Sequence, residues 1–158
     1  MIEDTPNKAH KAFWVITLIG FLLPWIVIIC CQIYVGIAAE IRNFPAHLFE
    51  SGYNFFFLAV MNATPFVIVA VAARVLLKAR QERRTRRGRL AGLGTSAACA
   101  MIVSLFAQIG VWSSVFKPKT HASLAGLGIY IEFWAALAVL PIGYLLGWAV
   151  GTSVRLFG

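Results

Sequence analysis

The chain has 158 residues, of which 60% are hydrophobic and 13% are charged, and its mean hydropathy is +0.81. Water-soluble domains are closer to half apolar and a quarter charged, so this composition excludes an ordinary soluble protein and indicates an integral membrane protein. The formal net charge of +8 is therefore interpreted first as a signal of orientation in the bilayer.

Long apolar segments follow one another along the chain and are predicted to form helices at about residues 13–38, 53–77, 90–116 and 122–150. Each supplies the roughly 20 residues that cross about 30 Å of hydrocarbon, where backbone amides must pair within their own helix. The first segment is about twice as long as the apolar region of a cleaved signal peptide, so we expect it to be retained. We predict one all-α membrane domain, residues 1–158, built as a bundle of four transmembrane helices.

Prolines lie well inside three of the predicted helices, at Pro24, Pro65 and Pro141. A proline has no backbone N–H, so each removes one helical hydrogen bond and tends to bend the helix. We therefore predict proline-kinked helices. A carbonyl freed at such a position can pair with a side chain or coordinate a cation. The simpler alternative is that the prolines only curve the bundle.

Seven of the 14 Lys and Arg residues lie in the segment 78–89, KARQERRTRRGR. Because basic residues concentrate on the inner side of a membrane, we predict a cytoplasmic loop here. The same rule puts both termini in the cytoplasm of a bacterial-type inner membrane, with eleven of the 14 basic residues inside. Nucleic acid is not expected as a partner, because no aromatic residue interleaves the arginines. Four side chains are candidates for contact with anionic phospholipid headgroups: Arg83, Arg84, Arg86 and Arg87.

A single carboxylate, Glu132, lies in the fourth predicted helix, roughly 14 Å below its outer end. Asn62 in the second helix and Gln108 in the third lie at a similar depth, so the three side chains are predicted to form one polar layer. An ionised carboxylate at this depth costs about 2.5–3.5 kcal/mol, so it needs a proton, a cation or a polar cavity. We interpret the layer as a proton or cation site. The alternative is a protonated glutamate that only joins helices, worth about 0.6–2 kcal/mol.

Glycines recur every fourth residue near the end of the last helix, at Gly143, Gly147 and Gly151. On a helical projection Gly143 lies only about 20° from Glu132. Small residues at this spacing let two helices approach closely. We predict that the acid and the glycines share a surface that faces protein rather than lipid and serves helix packing or oligomerisation.

Two classes of function follow from these features. The first is an oligomeric channel or transporter subunit for cations or protons, because one acid per subunit becomes a charged ring in a homo-oligomer. The second is a non-catalytic accessory or assembly subunit of a larger membrane complex. No enzyme, cofactor or metal site is predicted, since the histidines lie outside the apolar segments and no phosphate-binding motif is present. The expected partners are the lipid bilayer, anionic headgroups and further subunits.

Overall fold

The structure is a computed structural model that describes residues 5–35, 52–78, 83–115 and 123–153. These residues form four α-helices: α1 (Thr5–Val35), α2 (Gly52–Lys78), α3 (Arg83–Val115) and α4 (Ser123–Ser153). All four helices are long and apolar enough to cross a membrane, over the stretches His10–Cys30, Phe56–Leu77, Thr85–Trp112 and Tyr130–Ser153. Over these described residues, the predicted all-helical architecture with four helices of membrane-spanning length is therefore confirmed.

Two helix boundaries differ from the sequence prediction. α1 begins at Thr5 rather than near residue 13, and α3 begins at Arg83, inside the segment 78–89 that was predicted to be a loop. Arginine is a strong helix former, so a helix continues readily through an Arg-rich stretch outside the hydrocarbon. Residues 79–82 of the predicted loop lie outside the described part of the chain.

The helices associate mainly as two pairs, α1 with α2 and α3 with α4. The α3–α4 contact is the most extensive, and α3 also packs against α1 and α2. The largest cluster of buried residues joins the first three helices and is rich in small side chains: Phe13, Val69, Ala70, Ala73, Leu77, Leu93 and Ala97. Small side chains suit a membrane interior, where close packing rather than exclusion of water holds helices together.

A side chain of α2 compensates for the proline of α1. Pro24 has no N–H, so the carbonyl of Gly20, four residues earlier, loses its helical donor. The side-chain amide nitrogen of Asn62 donates a hydrogen bond to this Gly20 carbonyl. All four helices run without interruption, including past the three prolines. The Asn62–Gly20 hydrogen bond thus joins α1 and α2 at the carbonyl that Pro24 leaves without a backbone donor.

Candidate functional site

The carboxyl group of Glu132 is buried between helices of its own chain. Glu132 is 4% exposed and Gln108 is 1% exposed. The Gln108 side-chain amide donates to Glu132 Oε2 over 2.7 Å, and the Trp112 indole N–H donates to Gln108 Oε1 over 2.7 Å. This chain of bonds fixes the amide orientation of Gln108, because its oxygen is already used by Trp112. Gln108 therefore binds the carboxylate through its Oε2 atom.

Three other side-chain oxygens of this region make no hydrogen bond of standard geometry among the described residues, although the Ser104 hydroxyl lies close enough to interact with the Glu132 carboxyl group. They are Glu132 Oε1, Ser104 Oγ and Asn62 Oδ1, and all three atoms are buried. Their residues line one small cavity, which has room for about one water molecule. Buried polar atoms are usually paired with protein groups or with ordered water, so this group of oxygens marks a place where a water molecule or an ion can bind.

The turn of α2 that Pro65 interrupts borders this cavity. Because Pro65 has no N–H, the carbonyl of Met61 loses the donor that it would have in an unbroken helix. Met61 and Pro65 both line the cavity. The cavity is thus lined by one carboxylate, by two neutral side-chain oxygens and by residues of the turn of α2 that Pro65 interrupts.

Only two of the three residues of the predicted polar layer contact each other directly. Gln108 and Glu132 are hydrogen-bonded to each other, whereas Asn62 uses its amide nitrogen on the Gly20 carbonyl and reaches the same cavity without bonding to Glu132. Sequence reasoning missed Ser104, because serines in membrane helices usually bond their own backbone. A usable signal was its place in a four-residue repeat of buried residues along α3: Gly88, Gly92, Ser96, Ala100, Ser104 and Gln108.

The predicted glycine surface lies against α3 of the same chain. A methyl group added at Gly143 would come within 2.9 Å of the Ser96 Cα atom, and one at Gly151 within 2.8 Å of the Ala91 Cβ atom. At Gly147 it would come within 2.5 Å of the Ala91 carbonyl oxygen. Glu132 is buried on this same α3-facing side of the helix. The glycines thus bring α4 close enough to α3 for the Gln108–Glu132 bond. Their surface is covered by α3 of the same subunit.

The arginines near the start of α3 are in mixed environments. Arg87 is exposed and Arg86 is partly buried, while the side chains of Arg83 and Arg84 lie outside the described residues. Arg89 donates over 3.1 Å to the Leu76 carbonyl and so ties the beginning of α3 to the end of α2. Contact of these arginines with anionic lipid remains a prediction.

The described residues contain no group of three or more His, Cys, Asp or Glu side chains that could hold a metal ion. Glu132 is the only acidic residue within the four helices, and neither α4 nor the part of α3 after Arg89 carries a Lys or Arg. The carboxyl group thus has only neutral neighbours on the helix pair that encloses it. The chain matches no known protein family, no curated protein and no solved structure. The site is therefore interpreted from its own chemistry.

Proposed function

We propose that this membrane protein moves protons or monovalent cations across the bilayer, and that Glu132 is the site where the ion binds on its way. One observation carries the proposal: the buried Glu132 carboxyl group shares a small cavity with two neutral side-chain oxygens, those of Ser104 and Asn62. Ionisable residues inside membrane helices commonly mark ion pathways.

The set of oxygens favours a small, singly charged ion. Divalent Ca²⁺ takes six to eight oxygen ligands, several of them carboxylates, and this site offers one carboxylate. A proton on Glu132 or one monovalent cation would balance its charge. Both species also fit the size of the cavity, which admits about one water molecule.

The position of Glu132 favours a complete site in each subunit. The carboxyl group lies between α3 and α4 of one chain, with Asn62 of α2 across the cavity. A charged ring, in which one acid per subunit lines a shared central pore, would require Glu132 to face neighbouring subunits. We therefore favour a transporter or channel path within each bundle, and oligomerisation becomes a separate property.

Ion flux into liposomes tests the proposal. The protein is reconstituted with a potassium gradient. Internal pH and sodium are followed with dyes in the presence of valinomycin, and potassium flux is followed in separate liposomes without valinomycin. We expect flux in the wild type and at least a tenfold loss in Glu132→Gln, which keeps an acceptor for Gln108 but cannot ionise. Tyr130→Phe, on the exposed side of α4, is the matched control and should keep full flux. Unchanged flux in Glu132→Gln, or none in the folded wild type, would exclude this function.

Ser104→Ala distinguishes a metal cation from a proton. The substitution removes one cavity oxygen and leaves the Gln108–Glu132 bond in place. If a metal cation binds, its concentration for half-maximal flux should rise severalfold, because one ligand is lost. If only a proton is carried, proton flux should change little.

A second candidate is an accessory subunit of a larger membrane complex. It is favoured by α4, whose span is the least buried of the four and exposes Ile131, Trp134 and Leu145 on its outer face. In this case the protein purified in mild detergent would elute with other subunits and show no flux. The double substitution Ile131→Ala and Trp134→Ala would then release it from the complex without unfolding it.

A further inference from the structure

A groove on the outer surface of the α1–α2 pair is separate from the Glu132 cavity. It has a volume of about 560 Å³ and is lined from α1 by Trp14, Leu18 and Phe21. From α2 it is lined chiefly by Ala63 and Val67. It opens to the surroundings of the helices, where the bilayer lies.

The groove presents an apolar surface to whatever fills it. Its lining includes two hydroxyl groups, those of Thr17 and Thr64. Thr17 donates to the Phe13 carbonyl and Thr64 to the Val60 carbonyl, each over 2.9 Å and each within its own helix. Both hydroxyl hydrogens are thus already used in hydrogen bonds. A hydrocarbon chain can therefore lie along the groove without leaving a hydrogen-bond donor unpaired.

α1 and α2 each carry one basic residue near the same end of the groove. Lys11 is seven residues before Leu18, and Arg74 is seven residues after Val67. Seven residues are close to two helical turns, so each cation lies within about 20° of a groove-lining residue on its own helix. Both Lys11 and Arg74 are exposed.

The same end has the features of a membrane interface. The Trp14 indole donates over 3.1 Å to His10 Nε2, which holds the ring in place next to Lys11. Tryptophan is enriched at headgroup level, and long basic side chains extend from the hydrocarbon toward it. At the opposite end the ring of Phe21 packs against Phe56, with 6.0 Å between the ring centroids.

On α1, the distance from Lys11 to the far end of this groove corresponds to one leaflet. From Lys11 to Phe21 there are ten residues, and a helix rises 1.5 Å per residue, so the distance is about 15 Å. Half of the hydrocarbon thickness of a bilayer is also about 15 Å. An acyl chain whose headgroup lies beside Lys11 would therefore end near the Phe21–Phe56 pair.

We propose that this groove binds one anionic phospholipid of the leaflet on the basic side of the protein, with an acyl chain between Trp14 and Phe21 and the phosphate beside Lys11 and Arg74. Juxtamembrane cations attract anionic headgroups by about 1 kcal/mol each, which is about fivefold in affinity. The site does not depend on Glu132 or on the transported ion.

Quenching of tryptophan fluorescence by bromine tests the lipid site. The full-length protein is reconstituted with phosphatidylglycerol or phosphatidylcholine that carries bromine on one acyl chain, at equal mole fractions. The chain has five tryptophans, so the difference between the wild type and Trp14→Phe isolates the Trp14 signal. We expect stronger quenching of Trp14 by the brominated phosphatidylglycerol.

Lys11→Gln and Arg74→Gln should each lower this preference about fivefold. Both residues are exposed, and elution of the variants in detergent checks that they fold. Arg87→Gln removes an exposed cation of α3, whose predicted lipid contact is not on either helix that lines this groove. It is the matched control and should leave the preference measured at Trp14 unchanged. Equal quenching by the two lipids would overturn the proposal. So would a preference that survives loss of both cations, or one that Arg87→Gln lowers just as much.

Discussion

Asn62 serves two purposes at the scale of a single residue. Its amide nitrogen donates to the Gly20 carbonyl that Pro24 leaves without a donor, while its amide oxygen lies unpaired beside the Glu132 cavity. The sequence indicated a polar residue at the right depth, but it could not indicate that half of the amide is used to compensate for a proline on another helix. That assignment depends on which helices are neighbours.

A double-mutant cycle tests the link between Asn62 and Pro24. Asn62→Ala should destabilise the protein by about 1–3 kcal/mol, because it leaves the buried Gly20 carbonyl unpaired. Pro24→Ala restores a backbone N–H four residues after Gly20, so Asn62→Ala should cost less in that background. We expect a coupling of about 0.5–2 kcal/mol in unfolding by SDS in mixed micelles. Pro141→Ala, on α4, is the control. Additive effects of Asn62→Ala and Pro24→Ala would contradict the assigned role.

The hydroxyl of Ser104 shows where residue-level prediction from sequence is weakest. A serine in a membrane helix can bond its own backbone, so its type alone says little about function. In the structure, Ser104 is buried beside the Glu132 carboxyl group and lines the same cavity. Gln108 and Glu132 were easier to identify, because large polar groups are expensive in hydrocarbon wherever they lie.

At the scale of the elements, α3 and α4 fit together through small residues on both sides. The glycines of α4 face Ala91, Thr95 and Ser96 of α3, and Gly92 of α3 faces the backbone of Tyr144 on α4. The Ser96 hydroxyl also donates to the Leu140 carbonyl over 2.7 Å. The repeat of glycines was visible in the sequence. Its partner surface was not, because a stripe of small residues can pack on any helix that approaches it.

Two glycine substitutions should have opposite effects on stability. Gly147→Ala places a methyl group within 2.5 Å of the Ala91 carbonyl oxygen, so it should destabilise the protein by about 1–3 kcal/mol. Gly94→Ala is the matched control, because nothing lies within 4 Å of the added methyl group. Alanine has the higher helix propensity, so Gly94→Ala should be neutral or stabilising by up to about 1 kcal/mol. Unfolding in SDS measures both. Equal stability of the two variants would show that α3 and α4 do not pack through Gly147.

Helix boundaries were predictable only where the bilayer sets them. Hydropathy located the apolar centre of every helix, since about 20 apolar residues are required to cross the hydrocarbon. It did not locate the starts of α1 at Thr5 or of α3 at Arg83. Outside the hydrocarbon, the length of a helix depends on helix propensity and on tertiary contacts. A count of apolar residues measures neither of these.

For the whole molecule, the number of spans followed from composition, but the arrangement of the helices did not. The pairing of α1 with α2 and of α3 with α4 places Glu132 inside one subunit. Membrane helices lack strong directional hydrophobic patterns, because lipid is as apolar as the protein core. Neighbours are therefore set by local fit, which a single sequence does not reveal. The cytoplasmic position of both termini remains a prediction from charge.

The oligomeric state of the protein, measured as its total protein mass in detergent, should not depend on Glu132. Because the carboxyl group lies between helices of one chain, Glu132→Gln should elute with the same mass as the wild type when measured by light scattering in detergent. Trp134→Ala, on the exposed face of α4, is the comparison variant and should lower the mass if that face joins subunits. A change of mass in Glu132→Gln would place the acid at a subunit contact instead.

The bond between Gln108 and Glu132 also has a consequence for how the protein is made. Synthesis delivers α3 before α4, so the amide of Gln108 is present when the acid arrives. Released alone into lipid, α4 would carry its charged carboxylate at a cost of about 2.5–3.5 kcal/mol. We therefore expect the insertion machinery to release α3 and α4 together, as a helical hairpin whose two halves already shield each other.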